Sequence, residues 1–242
     1  MEGPPPLAVI HPSAVVSPKA EIGDDVEIGP YCIIGDEVRI GSRSHLHSHL
    51  VLEGPVTIGE DNVFYPFSSI GARSQDLKYA GEPTYAEIGN RNTFREFVTV
   101  HRGTSPESPT RIGSDNNFLA YTHVAHDAVV GNHCILSNAA ALAGHVTVED
   151  HVILSGMAGV HQFCRVGAHS MIGGCTKIVQ DVPPFTIADG NPAQIRGLNI
   201  IGLQRRGFDP EDIRALKTAY KALFLKKGLN LTTQLETLQN VE

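Results

Sequence analysis

An aliphatic or phenylalanine side chain recurs at every sixth position along most of this chain. Counted in sixes from Ile10 to Ile178, 26 of 29 positions hold Ile, Val, Leu or Phe. The exceptions are Asp76, Glu82 and Pro106, which fall in polar stretches at about 72–86 and 102–110 that we predict to be loops. A period of six fits neither an α-helix nor an isolated strand. It is typical of a parallel β-helix in which three short strands make one coil of about 18 residues.

Small residues lie on both sides of the apolar residue that recurs every six positions. Glycine follows it eleven times, and we expect these glycines to supply the backbone angles of tight corners. A small residue often precedes it by two positions, as at Cys32, Cys134 and Cys164. These three cysteines are predicted to fill a narrow core, for which the 41% hydrophobic content is sufficient.

The period divides the chain into two predicted domains. A β-helix is expected over residues 1–185, because the period ends at Pro183-Pro184, and a helical cap over 186–242. Within the cap, a helix is predicted from Asp209 to Gly228 with one apolar face formed by Ile213, Leu216, Tyr220, Leu223 and Phe224. The cap has eight Lys and Arg against six acidic residues, so it either closes the last coil as a solvated element or binds something acidic.

Composition excludes several classes of protein. No apolar run approaches the ~18 residues that cross a bilayer, and no secretory signal is visible. The four cysteines form no CxxC pair, which disfavours a disulfide framework. A net charge of -7 disfavours broad nucleic-acid binding. We therefore expect a cytoplasmic protein that neither inserts stably into a membrane nor binds nucleic acid.

Twelve histidines raise the possibility of a metal site. His45, His47 and His49 alternate, and a group that includes His133 and His151 lies further along the chain. No spacing completes a tetrahedral set of ligands within one chain, so the sequence predicts no metal and no cofactor.

Residues 18 apart should stack in successive coils. His126, Gly144 and Gln162 form one column, and Asp127 and His145 form its neighbour. An imidazole beside a carboxylate suits general-base catalysis, and a bare glycine N–H suits an oxyanion. A third column has small residues that would leave a slot for an alkyl chain, and its members are Asn138, Gly156 and Gly174.

Motifs throughout the chain resemble one enzyme family. The motifs are SQDLKYAGE (74–82), VTVHRGT (98–104), HVAHD (123–127), ALAGHV (141–146), GVHQFCRVGAHSMIGGC (159–175), QDVPPF (180–185), GNPA (190–193) and LQRRGF (203–208). They are similar to those of the acyl-carrier-protein–dependent UDP-N-acetylglucosamine O-acyltransferases of lipid A biosynthesis. The resemblance implies a homotrimer of left-handed β-helices with active sites in the clefts between subunits.

The resemblance also implies residue roles. His126 would take the proton of the glucosamine 3-hydroxyl with Asp127 supporting it, and the Gly144 N–H would stabilise the oxyanion formed on a (R)-3-hydroxyacyl carrier protein. Gly174 would occupy the position at which relatives limit acyl length, where a small residue permits a longer chain. Basic residues of the cap and the last coils would dock the acidic carrier protein. Contacts to UDP-N-acetylglucosamine or to the intermediate would come from Asp76, Lys78, His101, His123, His145, Gln162, Asn199, Arg205 and Arg206.

Two departures from the family pattern leave the acceptor open. Ile201 stands where an acidic residue is common, and Ala139 where a second asparagine is common. The acceptor can therefore carry a 3-hydroxyl or a 3-amino group. The period of six is also compatible with a sugar-nucleotide N-acyltransferase, an acetyl-CoA acetyltransferase, a γ-type carbonic anhydrase with interfacial zinc, and a non-catalytic scaffold.

Overall fold

A computed structural model of the chain describes residues 7–225. Nearly all of its regular structure consists of very short strands joined by tight corners. In chain order the strands are β1 (Val9–Ile10), β2 (Val15–Val16), β3 (Glu21–Ile22), β4 (Glu27–Ile28), β5 (Ile33–Ile34), β6 (Val38–Ile40), β7 (His45–Leu46), β8 (Val51–Leu52), β9 (Val56–Ile58), β10 (Val63–Phe64), β11 (Ser69–Ala72), β12 (Ala86–Ile88), β13 (Thr93–Phe94), β14 (Thr99–His101), β15 (Thr110–Ile112), β16 (Asn117–Phe118), β17 (His123–Val124), β18 (Val129–Val130), β19 (Ile135–Leu136), β20 (Ala141–Leu142), β21 (Thr147–Val148), β22 (Ile153–Leu154), β23 (Gly159–Val160), β24 (Arg165–Val166), β25 (Met171–Ile172), β26 (Lys177–Ile178), β27 (Thr186–Asp189) and β28 (Gln194–Leu198).

The strands form the three faces of a prism. Every third strand joins the same parallel sheet, so β1, β4 and β7 begin face A, β2, β5 and β8 begin face B, and β3, β6 and β9 begin face C. The chain therefore runs from face A to B to C in each coil. We name the corners after the faces that they join: edge AB, edge BC and edge CA. The parallel β-helix predicted from the period of six is confirmed.

The recurring apolar residue points into the prism. From Ile28 onward these positions are almost completely buried, and Cys32, Cys134 and Cys164 lie in the same core, as predicted. Phe64, Phe94 and Phe118 stack face to face inside, with ring centroids 4.7 and 4.8 Å apart. Successive coils are therefore in register through the regions that carry the loops.

The expected role of the glycines at the corners is wrong. The left-handed backbone angles of the corners belong mostly to other residues, such as Asp25, Tyr31 and Asp127. The glycines after the recurring position are needed because neighbouring coils approach closely there. A Cβ on Gly41, for example, would lie 2.5 Å from the carbonyl carbon of Gly59 in the next coil.

Both predicted loops leave the prism at edge BC. Residues 73–85 connect β11 on face B to β12 on face C, and residues 102–109 connect β14 to β15 in the same way. The two insertions therefore lie over the same corner of the molecule.

The C-terminal segment folds back on the end of the prism. The strand β27 still stacks on β25, just past the boundary predicted at residue 185, and β28 returns antiparallel to it. Two helices follow, α1 (Ile200–Arg205) and α2 (Pro210–Tyr220), and Lys221–Leu225 forms a π-helical turn. Asp209 precedes α2 as predicted but makes no side-chain capping bond, and Ile213 is the buried residue of the helix. The helix end predicted at Gly228 lies outside the described residues, as do Lys226 and Lys227. Within 7–225, no helix has the length and apolar character needed to cross a membrane.

Candidate active site

Edge BC collects most of the predicted site residues. His101 is the last residue of β14 and His123 is the first residue of β17, both on face B. His126 and Gly144 lie at edge BC in successive coils. His123, His126, Gly144 and Gln162 line one open groove, and Asp76 and His101 line a hollow next to it. Gln75 lines both. The loop 73–85 thus forms part of the wall.

His126 and Asp127 form a hydrogen-bonded pair. The Nδ1 atom of His126 lies 2.7 Å from Oδ2 of Asp127, whose side chain is fully buried. The other carboxylate oxygen of Asp127 accepts the backbone N–H of Thr104 at 2.9 Å. Because a carboxylate accepts hydrogen bonds, we assign the ring proton of His126 to Nδ1. This leaves the Nε2 lone pair free to accept a proton.

The surroundings keep Asp127 charged and keep His101 and His123 neutral. Burial raises the pKa of Asp127, but hydrogen bonds from His126 and Thr104 outweigh it and hold the pKa below its usual value. Burial, together with the charges of His123 and His126, lowers the pKa of His101 to about 4. Burial also lowers the pKa of His123, with a smaller contribution from the charge of His126. Near neutral pH the His126–Asp127 pair therefore lies beside the uncharged imidazoles of His101 and His123.

Gly144 lies directly against the His126 ring. A Cβ built on Gly144 would lie 2.7 Å from Nε2 of His126, so only glycine fits this position without moving the ring. Within residues 7–225, the Gly144 N–H has no hydrogen-bond partner. The predicted column thus places a ring nitrogen beside an available N–H donor.

Ser74 and Thr104 connect the two loops to this pair, and neither was predicted from the sequence as a site residue. The hydroxyl of Thr104 lies 3.0 Å from Nδ1 of His126 and 2.8 Å from the hydroxyl of Ser74. Ser74 in turn accepts the N–H of Asp76, whose carboxylate accepts the N–H of Lys78. Both missed residues lie in loops outside the period, and their presence in the family motifs was the only available signal.

His145 occupies the corner in the next coil. Its Nε2 lies 3.4 Å from Oδ2 of Asp127, and Phe163 stacks on its ring at 4.7 Å. Across 7–225, His126, Asp127 and His145 are the only three His, Cys, Asp or Glu side chains that bring donor atoms within metal-binding distance of one another. His45 instead pairs with Glu27 at 2.8 Å.

The predicted acyl groove lies at the opposite end of face B. Asn138, Gly156 and Gly174 stack at edge AB. Between them and Gly144, face B carries the small residues Ala141 and Gly159. A Cβ on Gly174 would meet only the carbonyl oxygen of Gly156, at 3.5 Å, so a side chain there enters open space.

The predicted nucleotide contacts are not brought to edge BC of the same chain. Arg206 donates to the carbonyl of His151, which lies at edge CA, and Arg205 beside it is exposed. Asn199 is buried, its side chain accepting the N–H of Gly202 at the start of α1 and donating to the carbonyl of His169. Face C lies between edge CA and edge BC. Arg205, Arg206 and Asn199 are therefore separated from His145 by about six residues, or ~20 Å of extended chain.

Known structures resemble this chain over almost its whole length. LpxA from Acinetobacter baumannii is 46% identical with a TM-score of 0.93, covering 96% of this chain and 90% of that one. UDP-N-acetylglucosamine O-acyltransferase from Moraxella catarrhalis is 45% identical with a TM-score of 0.92, covering 95% and 90%. The UDP-N-acetylglucosamine acyltransferase of Bacteroides fragilis is 40% identical with a TM-score of 0.93, covering 96% and 90%. The model of domain 2 of UDP-N-acetylglucosamine O-acyltransferase matches residues 181–242.

This chain belongs to the UDP-N-acetylglucosamine acyltransferase family. It is an acyltransferase, as the motifs predicted, and it shares the left-handed β-helix of the family. The carbonic anhydrase and the non-catalytic scaffold are set aside. At edge BC this family member has an imidazole paired with a carboxylate, a glycine N–H without a partner among the described residues, and an open groove.

Proposed function

We propose that this chain transfers a (R)-3-hydroxyacyl group from acyl carrier protein to the glucosamine 3-position of UDP-N-acetylglucosamine, the first step of lipid A biosynthesis. The observation that carries the proposal is the contact between His126 and Gly144, with Asp127 on the other ring nitrogen. The proposed reaction uses no cofactor.

His126 acts as the general base. Its Nε2 takes the proton of the acceptor hydroxyl while the hydroxyl oxygen attacks the thioester carbonyl. Asp127 fixes the tautomer and stabilises the imidazolium that forms. The Gly144 N–H donates to the carbonyl oxygen as it becomes an oxyanion. When the tetrahedral intermediate collapses, the C–S bond breaks and the proton on Nε2 passes to the departing thiolate of the carrier.

A homotrimer would bring the separated residues together. An exposed stripe of large side chains runs along edge AB, which includes Tyr31 (61% exposed), Tyr121 (61%) and Met157 (64%). Such a stripe favours burial in an assembly. If edge AB faces a three-fold axis, face B of each chain lies opposite face A of the next. Edge BC with His126 then meets edge CA of the neighbour, which carries Arg205 and Arg206.

The same arrangement gives each substrate a position. The nucleotide would lie at the outer rim, where the guanidinium groups of Arg205 and Arg206 suit its phosphates. The acyl chain would run inward over Ala141 and Gly159 towards Gly156 and Gly174. Asp76, Lys78, His101, His123, His145 and Gln162 would contact the sugar or the intermediate. The acidic carrier protein would dock on basic residues of the cap near the rim.

Replacement of the base tests the proposal. His126→Ala is expected to lower the transfer rate by ~10²–10⁴-fold, the range for a positioned general base, while the fold survives because the ring is not part of the core. The assay is run with hydroxyacyl carrier proteins of several chain lengths, with coenzyme A thioesters, and with 3-hydroxyl and 3-amino acceptors. His11→Ala is the matched control, because His11 is exposed in the first coil, several coils away from His126. Undiminished activity of His126→Ala would remove the proposed base, and a preference for coenzyme A would remove the proposed donor.

A further inference from the structure

Three side chains at edge BC converge on one point. Oδ2 of Asp127 lies 2.7 Å from Nδ1 of His126 and 3.4 Å from Nε2 of His145. The two imidazole rings stand nearly perpendicular, at 86°. Their nitrogen atoms therefore approach the same carboxylate oxygen from two directions.

The histidines of edge CA show that this convergence is not a general result of stacked coils. His133, His151 and His169 also occupy equivalent corners, but their rings lie parallel at 5° and 19°. Parallel rings present their nitrogens side by side, and no carboxylate joins them in a three-residue cluster within 7–225. At edge CA the equivalent carboxylate, Asp115, also precedes His133 by 18 positions, but it pairs with Arg91 at 2.7 Å, whereas Asp127 contacts His126 and His145.

We propose that His126, Asp127 and His145 form an inhibitory site for a divalent transition metal such as Zn²⁺. Two imidazoles and a carboxylate are a common zinc ligand set, with bonds of about 2.0–2.1 Å. Tetrahedral geometry then places ligand atoms ~3.3 Å apart. The His145–Asp127 distance of 3.4 Å already fits, and the His126–Asp127 distance of 2.7 Å must open by a few tenths of an ångström. The side chains of His126 and His145 are 13% and 34% exposed, so an ion can reach them from the groove.

Binding changes the tautomer of His126. In the free protein Nδ1 carries the ring proton and Nε2 has the lone pair. A metal ion on Nδ1 needs the lone pair of that atom, so the proton leaves Nδ1 and a neutral ring carries it on Nε2. Nε2 then cannot accept the proton of the acceptor hydroxyl. This inhibition rests on the proposed function, whereas metal binding itself does not.

Titration with Co²⁺ tests binding separately from catalysis. The chelator-treated protein is expected to be fully active, to bind one Co²⁺ per chain with the intense visible absorption of tetrahedral cobalt, and to lose activity as Zn²⁺ saturates the site. His145→Gln should weaken Co²⁺ binding by more than about 10-fold, since loss of even an outer-shell partner commonly costs 10–100-fold. His47→Gln is the control, because His47 is also half-buried beside another histidine but has no role in the site.

Each outcome decides the inference. It is supported if His145→Gln loses the cobalt absorption and the sensitivity of its own residual activity to Zn²⁺, while His47→Gln retains both. It is overturned if no tetrahedral cobalt forms, if both variants bind equally, or if the chelator removes activity and zinc restores it. Tetrahedral binding without inhibition overturns the inhibitory role and also argues against His126 as the base. A loss of activity in His126→Ala without any metal binding would overturn this inference and leave the proposed function standing.

Discussion

Thr104 connects the loop 73–85 to the proposed base. Its hydroxyl contacts both Nδ1 of His126 and Ser74, and its backbone N–H donates to Asp127. Thr104→Val removes the hydroxyl contacts but keeps the backbone bond. We expect kcat to fall about 10-fold, which corresponds to ~1.4 kcal/mol, the upper range for one hydrogen bond. Steady-state kinetics across pH measure the effect, and a positioning role predicts that the acidic limb of the profile moves.

The matched control for Thr104 is the conservative serine. Thr104→Ser retains the hydroxyl and should keep most of the activity and the pH profile of the parent. Equal rates and equal profiles in the Val and Ser variants would show that the hydroxyl positions nothing.

His101 makes stability depend on pH. Its pKa lies at about 4, below the ordinary value of 6.5, because the ring is buried and near other histidines. Between these values the unfolded chain binds more protons than the folded chain. The stabilisation is thus complete above about pH 6.5 and is lost as pH falls towards 4. One such group contributes at most ~1.4 kcal/mol per pH unit.

Urea unfolding at about pH 7 and pH 5 measures this dependence. We expect His101→Gln to lose less stability than the parent chain between the two conditions, because glutamine does not titrate. Parallel losses in the two proteins would show that His101 is not the group responsible.

The residues of the site differ in how far sequence predicts them. His126 and Gly144 could be paired because they lie 18 positions apart in an uninterrupted part of the period. Ser74 and Thr104 could not, since a loop outside the period has no register to place its side chains. Asn199 was assigned a ligand role, but the structure shows that its side chain already caps α1, a contact that depends on how the cap folds back.

At the scale of elements, we expect face B between Gly144 and Gly174 to set the length of the acyl chain that fits. Gly174→Met should shorten the preferred chain, because its side chain would enter the open space over Gly156. Gly174→Ala is the control, since its Cβ makes only an ordinary contact. Competition between carrier proteins with different acyl chains gives the measurement. An unchanged preference in the Met variant would reject edge AB as the end of the acyl groove.

The strands were predictable and the corners were not. A buried residue every six positions fixes where each strand points inward, as at Phe64 and Phe94. The glycines of the corners were assigned to backbone angles, yet at Gly41 the constraint is the approach of Gly59 in the next coil. Gly41 and Gly59 are 18 positions apart, so the period stacks them, but the residue type alone does not distinguish a close approach between coils from a turn.

At the scale of the whole molecule, the proposed site requires two chains. His126→Ala and Arg205→Glu are each expected to be nearly inactive, and Arg205 is exposed, so its reversal leaves the fold intact. In co-expressed mixed trimers, roughly a quarter of the clefts would combine an intact His126 with an intact Arg205 from the neighbour. Acyl transfer by purified mixed trimers should recover accordingly. No recovery from two inactive parents would mean that one chain supplies both residues.

The phenylalanine column has a consequence for how such proteins diversify. Phe64, Phe94 and Phe118 are 30 and 24 positions apart, yet their rings stack at nearly equal distances. The extra residues form the loops 73–85 and 102–109 at edge BC, so the interior of the prism is unchanged. Mutations that lengthen or rewrite 73–85 are therefore expected to reshape the wall of the groove at edge BC without a cost to the core, so that selection can act on this loop independently of folding.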